Sequence, residues 1–166
     1  MLAFEGLKLP MNEPSPTSTS TAEVEFTTES LPNNAPDLNK DKRASESITD
    51  GIQIRAFPEF CPEQSNPREL KYLFSYQIFI KNDSGSPVKL LSRHWRIIDA
   101  NGHTEEVKGP GVVGETPMID PGDEYSYNSF CPLATHWGTM EGSYEFERTD
   151  GSTFEAKIKR FYLAKL

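Results

Sequence analysis

Chemistry is most concentrated at Arg93, His94 and Trp95, three adjacent residues of a 166-residue chain. A guanidinium offers two parallel donors to a carboxylate or phosphate. An imidazole changes charge near neutral pH. In an extended strand Arg93 and Trp95 share one face and His94 takes the other. Two arrangements satisfy this triplet. In one, Trp95 packs in a core, Arg93 pairs with a carboxylate and His94 makes a structural hydrogen bond. In the other, Arg93 and His94 open a site for an anion or a peptide. Further along, Gly109-Pro110-Gly111-Val112-Val113-Gly114 satisfies G-x-G-x-x-G. That pattern cradles a pyrophosphate when a strand precedes it and a helix follows. Here Glu115-Thr116-Pro117-Met118-Ile119-Asp120-Pro121 follows. Its prolines and β-branched residues oppose a helix, and Glu115 puts negative charge where a phosphate would lie. No Lys-Ser/Thr pair closes the loop, so it is not a phosphate loop of the nucleotide-hydrolase kind. The expectation is a tight backbone excursion between strands, whose N–H groups would supplement Arg93 in any anion site.

Other reactive residue types do not converge in sequence. His94, His103 and His136 lack i, i+2 or i, i+4 spacing, so neither a metal site nor a cofactor is expected. Glu105-Glu106 and Asp123-Glu124 sit in strand-like segments, where alternation sends neighbours to opposite faces; they make poor acid–base partners. No catalytic residues are assigned, and the protein is not expected to be an enzyme. The two cysteines, Cys61 and Cys131, each precede proline and form no C-x-x-C pair. They are read as reduced thiols; a single bridge would require Cα atoms within about 7 Å.

The elements that position these residues read as strands. Tyr72, Phe74, Tyr76, Ile78 and Ile80 alternate with Leu73, Ser75, Gln77, Phe79 and Lys81, a period of two rich in aromatic and β-branched types. Val88–Asp99 is a second strand, with Leu91, Trp95 and Ile97 expected on one side. Asn101-Gly102 signals a hairpin into a short strand at Thr104–Lys108. Asp120-Pro121-Gly122 and Asp150-Gly151 are further turns. Glu124–Cys131, Thr139–Arg148, the Phe154–Lys159 stretch and an opening strand at Ile52–Phe57 bring the total to about seven. Only five alanines occur in residues 51–166, and no helical stripe is sustained. Strands with one polar face joined by tight turns predict an all-β antiparallel sandwich, closer to fibronectin type III than to an immunoglobulin domain, because Cys61 and Cys131 do not flank Trp95 on convincing strands.

Residues 1–50 differ. From Asn12 to Asn39, 17 of 28 residues are Ser, Thr, Pro or Asn. Such a segment buries too little apolar area to offset an ordering cost of roughly 1–2 kcal/mol per residue. A disordered tail over 1–50 is expected, dispensable for folding, with a short helical turn near Lys40–Glu46; it reads as a solvated linker, with a docking tail anchored by Leu2, Phe4, Leu7 and Leu9 as the alternative. Residues 51–166 form the domain. The net charge of −8 opposes nucleic-acid binding through phosphate contacts. No apolar run approaches the roughly 20 residues of a membrane span. The first eight residues are interrupted by Glu5 and Lys8 and do not read as a secretory signal, so a cytoplasmic location is expected.

A group of motifs resembles the ApaG domain family. They are Ser92-Arg93-His94-Trp95; Asp99, Gly102 and Glu106-Val107; Gly109-Pro110-Gly111-Val112-Val113-Gly114-Glu115; Pro121-Gly122; Cys131-Pro132-Leu133 within Tyr127–Leu133; and Gly138-Thr139-Met140-Glu141-Gly142-Ser143-Tyr144. The resemblance runs from about Ile52 to Leu163. It implies a fibronectin-III-like sandwich, a link to cobalt resistance and magnesium efflux, and a partner-binding role like that of the same domain in eukaryotic F-box and polymerase-interacting proteins. It implies no defined catalysis. Phe130 stands where a small residue is common in the family, and Ala134-Thr135-His136-Trp137 replaces the usual run before Gly138. The leading expectation is a non-enzymatic binding module. Its loops around Gly109–Glu115 (Gly109, Gly111, Gly114, Glu115) and Phe130–Gly138 (His136, Trp137) would face a protein partner, beside Arg93 and His94. The alternative is a small-anion binder or weak phosphate-metabolism enzyme using Arg93 and the glycine loop. An open strand edge would also support a homo-oligomer.

Overall fold

In the computed structural model, which describes residues 36–166, the chain forms β1 (Ser45–Thr49), β2 (Ile52–Phe60), β3 (Tyr72–Asn82), β4 (Val88–Asp99), β5 (Thr104–Pro110), β6 (Met118–Ile119), β7 (Glu124–Leu133), β8 (Trp137–Arg148) and β9 (Thr153–Ala164). One sheet runs β1-β2-β3-β7. The other runs β5-β4-β8-β9, with β6 also paired to β4, and every pairing is antiparallel. The expected all-β sandwich is found. Short 3₁₀ turns at Pro62–Gln64 and Pro67–Glu69 link β2 to β3.

Alternation builds the core. Phe74, Tyr76, Ile78 and Ile80 of β3 face Trp95, Met140, Tyr144, Phe146 and Phe161 of the opposite sheet in one buried cluster. Trp95 sits at its centre, with ring centroids 5.6 Å from Tyr76, 6.1 Å from Tyr144 and 5.9 Å from Phe161, all edge-to-face. Such pairs add to the gain from area burial. Asn82, the last residue of β3, is fully buried. Its amide donates to the Ser86 and Ile119 carbonyls at 2.8 and 2.9 Å, which joins the β3–β4 turn to β6.

The structure corrects the sequence reading in several places. Among the described residues there are nine strands rather than about seven, because β1 and β6 carried no apolar alternation to announce them. The domain therefore begins before residue 51. β1 pairs with β2 through Ser45↔Ala56 to Thr49↔Ile52, across a turn in which Asp50 and Gly51 take φ of 49° and 80°. Its other side closes against β9: Ser45 Oγ donates to the Lys159 carbonyl at 2.6 Å, Ser47 Oγ to the Lys157 carbonyl, and Tyr162 N–H to the Arg43 carbonyl at 2.9 Å. Hydroxyl side chains thus satisfy an edge that would otherwise stay open, and no hydrophobic residue is needed for it. Lys40–Glu46 forms no helix. Two separate turns close there, Lys40 N–H on the Asp37 carbonyl and Ala44 N–H on the Asp41 carbonyl, each at 3.0 Å. Residues 1–35, with Leu2, Phe4, Leu7 and Leu9, lie outside the described residues. Finally, Leu90 rather than Leu91 is buried. A bulge between Leu90 and Ser92 shifts the β4–β8 register, and the extra residue switches which parity faces inward.

Candidate functional site

The bulge in β4 decides where the Arg-His-Trp triplet points. Beyond it Arg93, Trp95 and Ile97 face inward, opposite Tyr144, Gly142 and Met140 of β8. On β5, Gly109 lies directly across from Arg93. A Cβ at Gly109 would sit 3.1–3.3 Å from the guanidinium, so glycine leaves the space the arginine fills. Arg93 Nη1 donates to the Pro110 and Gly111 carbonyls, both at 2.9 Å. Arg93 therefore holds the glycine loop in place. Its charge also acts on two buried phenols, Tyr127 and Tyr144, which hydrogen-bond to each other. Burial pushes both phenols well above their usual range, and Arg93 opposes part of that rise.

The glycine loop is a tight hairpin. Val112 and Glu115 exchange both backbone hydrogen bonds, at 2.8 and 2.9 Å. The turn residues Val113 and Gly114 have φ of 48° and 79°, the signs of a type I′ turn. Gly111 N–H donates to the Leu91 carbonyl at 2.7 Å, and a Cβ at Gly111 would fall 2.1 Å from the Glu115 carbonyl oxygen. Each glycine of the motif thus has a steric or torsional cause. The N–H groups of Gly111, Val112 and Glu115 are committed inside the loop rather than turned to a ligand. The Glu115 carboxylate accepts from Tyr125 Oη at 3.1 Å, which ties the hairpin to β7. Burial first, then Glu115, raises the Tyr125 phenol to about 12.

His94 faces outward, Nε2 3.4 Å from Glu106 Oε2. Together with Ser92, Lys108, Glu145 and Glu155 it lines a shallow concavity of about 540 Å³ that Arg93 and Gly109 also border. Arg93, His94 and Gly109 thus border one depression that carries carboxylates as well as cations, with the Arg93 guanidinium committed to the glycine loop. Gly111, Gly114 and Glu115 stand apart from it.

His136 and Trp137 lie elsewhere. β7 ends at Leu133, paired with Tyr72 at the start of β3, whereas Tyr125 pairs with Ile80 near its end. On the second sheet Gly138 pairs with Asp99, and Pro110 with Ser92. The loop of Ala134–His136 and the glycine hairpin therefore sit toward opposite ends of the sandwich, roughly 23 Å apart along β4 at about 3.3 Å per residue. The two loops do not form one partner surface. Thr135 fixes the first of them: its Oγ1 donates to the Trp137 carbonyl at 2.7 Å and accepts from Ala100 N–H at 3.1 Å.

Beside that loop is an apolar groove of about 640 Å³, lined by Phe60, Pro62, Pro67, Tyr72, His136, Trp137 and the chain end from Ala164. The Tyr72 and His136 rings meet at 6.4 Å. A smaller hollow with Leu70, Leu73 and Pro132 continues on the far side of Tyr72. Leu70 is 63 % exposed and holds φ of 54°, ψ of 41°, a left-handed backbone that a leucine seldom adopts. Trp137 is 40 % exposed. Sequence reasoning singled out His136 and Trp137 but not Phe60 and Tyr72, which line the same groove, nor Leu70 past Tyr72. Tyr72 reads as one more alternating strand residue, and its place at the mouth of the sandwich depends on where β3 begins. Among the described residues no three His, Cys, Asp or Glu side chains come together as a metal site. No helix there is long and apolar enough to cross a membrane.

A nine-strand sandwich with an arginine-braced glycine hairpin at one end and an apolar groove at the other defines a scaffold class, and the comparisons give it a family. The sequence profile of the ApaG domain matches residues 62–148. Protein ApaG of Brucella canis is 47 % identical over 117 residues, which cover 70 % of this chain and 90 % of that protein. Its counterpart in Brucella melitensis is 46 % identical over the same length. The crystal structure of the putative ApaA protein from Bordetella pertussis superposes with a TM-score of 0.67 at 41 % identity, covering 68 % of this chain and 92 % of that one. The chain belongs to the ApaG domain family.

Proposed function

We propose that this protein is a non-enzymatic binding module that takes a protein partner on the apolar groove and its continuation past Tyr72. The observation that carries this reading is Leu70. A large apolar side chain is held in solvent on a left-handed backbone that would be relaxed by Gly or Asn, and a second exposed apolar anchor, Trp137, lies across Tyr72 in the adjoining groove. Strain of this kind persists where the side chain is used, and exposed apolar clusters mark interaction sites. Of the seven large hydrophobics exposed among the described residues, Leu70, Trp137 and Leu166 border this groove or its continuation. The link to cobalt resistance and magnesium efflux then runs through the partner, in a cytoplasmic setting.

The test is affinity capture with the full chain followed by quantitative binding of the captured partner. Leu70→Asn and Trp137→Ala should each weaken binding by about tenfold or more, as for a buried anchor at an interface. Leu70→Asn should leave the fold as stable as before or more so. Unchanged affinity in both variants overturns the reading. Calorimetry with pyrophosphate, nucleotides and dinucleoside polyphosphates, with and without magnesium, tests the anion alternative at Arg93 and His94. Heat at micromolar ligand that is lost in His94→Ala would replace our reading with that one.

A further inference from the structure

We propose that the protein pairs with a second copy of itself through the outer edge of β7, in an antiparallel register centred on Asn128. This goes beyond the groove reading and does not depend on it. Among the described residues the two sheets end in β1 and β7, and in β5 and β9. β1 and β9 close on each other through Ser45, Ser47 and Tyr162. β5 carries Glu105, Glu106 and Lys108 and ends at Pro110; charges and a proline are the usual guards of an open edge. β7 is different. It is 10 residues long, pairs with β3 from Lys81↔Glu124 to Tyr72↔Leu133 without a bulge, and carries no charged side chain from Tyr125 to Leu133. Its proline, Pro132, stands at the far end. A long, flat, uncharged edge is a template for another strand.

Hydrogen-bond parity identifies the groups on offer. Asn82 N–H donates to the Asp123 carbonyl at 3.0 Å, and Gly122 N–H to the Asn82 carbonyl at 2.7 Å, so even-numbered residues of β3 bond toward β7. Cys61 N–H donates to the Leu73 carbonyl at 2.9 Å, so odd-numbered ones bond toward β2. Through Tyr76↔Ser129 and Ile78↔Tyr127, the odd residues of β7 answer β3. Ser126, Asn128 and Phe130 therefore turn both N–H and C=O to the open side. Tyr127, Ser129 and Cys131 are buried against the core, and an added strand has to keep that parity. A second copy with its Asn128 opposite Asn128 does so. The two Asn128 residues then exchange both backbone bonds, and Ser126 does the same with Phe130 of the second copy. Pro132 has no donor; it falls opposite Glu124 of the second copy, whose N–H its carbonyl accepts. Every outward N–H from Glu124 to Phe130 gains an acceptor. The paired stretch is uncharged at its centre, so no like charges meet there. The contact is the same patch on both copies, and it closes at two because each chain has then used its unguarded edge.

The test is sedimentation equilibrium of the full chain, which should show a dimer at about 100 µM. Asn128 is exposed, and circular dichroism should show that its charge variants keep the fold. Asn128→Lys and Asn128→Asp each place like charges across the two-fold axis. Each should weaken the dimer about fivefold, the upper end for one cross-strand charge pair. An equimolar mixture of the two should recover it as a mixed dimer, because opposite charges then face each other; a merely misfolded variant would not recover. Trp137→Ala, in the apolar groove, should leave association unchanged. A chain that stays monomeric at about 100 µM overturns the proposal. So does a dimer indifferent to both Asn128 variants, a mixture that fails to recover, or a dimer lost in Trp137→Ala, which would move the contact to the groove.

Discussion

At the residue scale the glycine hairpin behaves as a braced turn, and its energetics are testable. Gly111→Ala would force a Cβ against a carbonyl oxygen at 2.1 Å on a backbone with φ of 58°. It should cost about 2–4 kcal/mol in denaturant unfolding, as expected when overpacking adds to backbone strain. Gly109→Ala meets only the end of a long side chain, at 3.1–3.3 Å; about 1 kcal/mol is expected as Arg93 gives way. Val113→Asn should act in the opposite sense. Valine at φ of 48° is an outlier that asparagine tolerates, so stability should rise by about 1 kcal/mol. A lower melting temperature for Val113→Asn would show that the valine side chain packs in a way its 42 % exposure does not suggest. The sequence made the need for glycines visible but not their cause. At Gly109 that cause is the Arg93 guanidinium, whose place the bulge at Leu91 determines; at Gly111 it is the Glu115 carbonyl, and at Gly114 a φ of 79°.

At the element scale, the strands that could be read were those with one apolar and one polar face. β3 was legible because Phe74, Tyr76, Ile78 and Ile80 alternate across a half-buried sheet. β1 was not, because Ser45 and Ser47 act through hydroxyls and Ile48 points to solvent at 65 % exposure. The candidate site divided in the same way: Arg93 and His94 stood out by type, but Tyr72 and Leu70 acquire meaning only from where β3 starts. The expectation that everything before residue 51 is dispensable therefore changes. Removing residues 1–50 should lower stability by about 2–4 kcal/mol relative to removing 1–35, since a ladder of net hydrogen bonds worth about 1 kcal/mol each is lost. Chemical denaturation of the two truncations, compared at equal m-value, checks this. Equal midpoints would show that β1 contributes nothing to the sandwich.

At the scale of the whole molecule, the buried phenols predict a fold sensitive to alkali. Tyr76, Tyr127 and Tyr144 are raised well above the usual phenol range, by burial first, and Tyr125 to about 12. A raised phenol keeps its proton in the folded state after the unfolded chain has released it. Its stabilising effect is complete below about pH 10 and is lost as pH rises beyond that. Each of the three buried phenols subtracts about 1.4 kcal/mol per pH unit above 10. Unfolding should thus be steep and cooperative in alkali, and tyrosinate absorbance near 295 nm should rise together with the loss of near-ultraviolet dichroism. Tyrosinate absorbance that reached its full amplitude with the dichroism intact would contradict the buried placement of these rings.

Cys131 is fully buried on the inner face of β7, and burial drives its thiol far above the usual range. Cys61 is partly exposed and free, between Phe60 and Pro62 of the groove wall. Thiol reactivity follows the thiolate and its exposure. A maleimide dye added to the unaltered protein should therefore attach at one position, next to the surface where binding is proposed, and occupancy could be followed without introducing a cysteine.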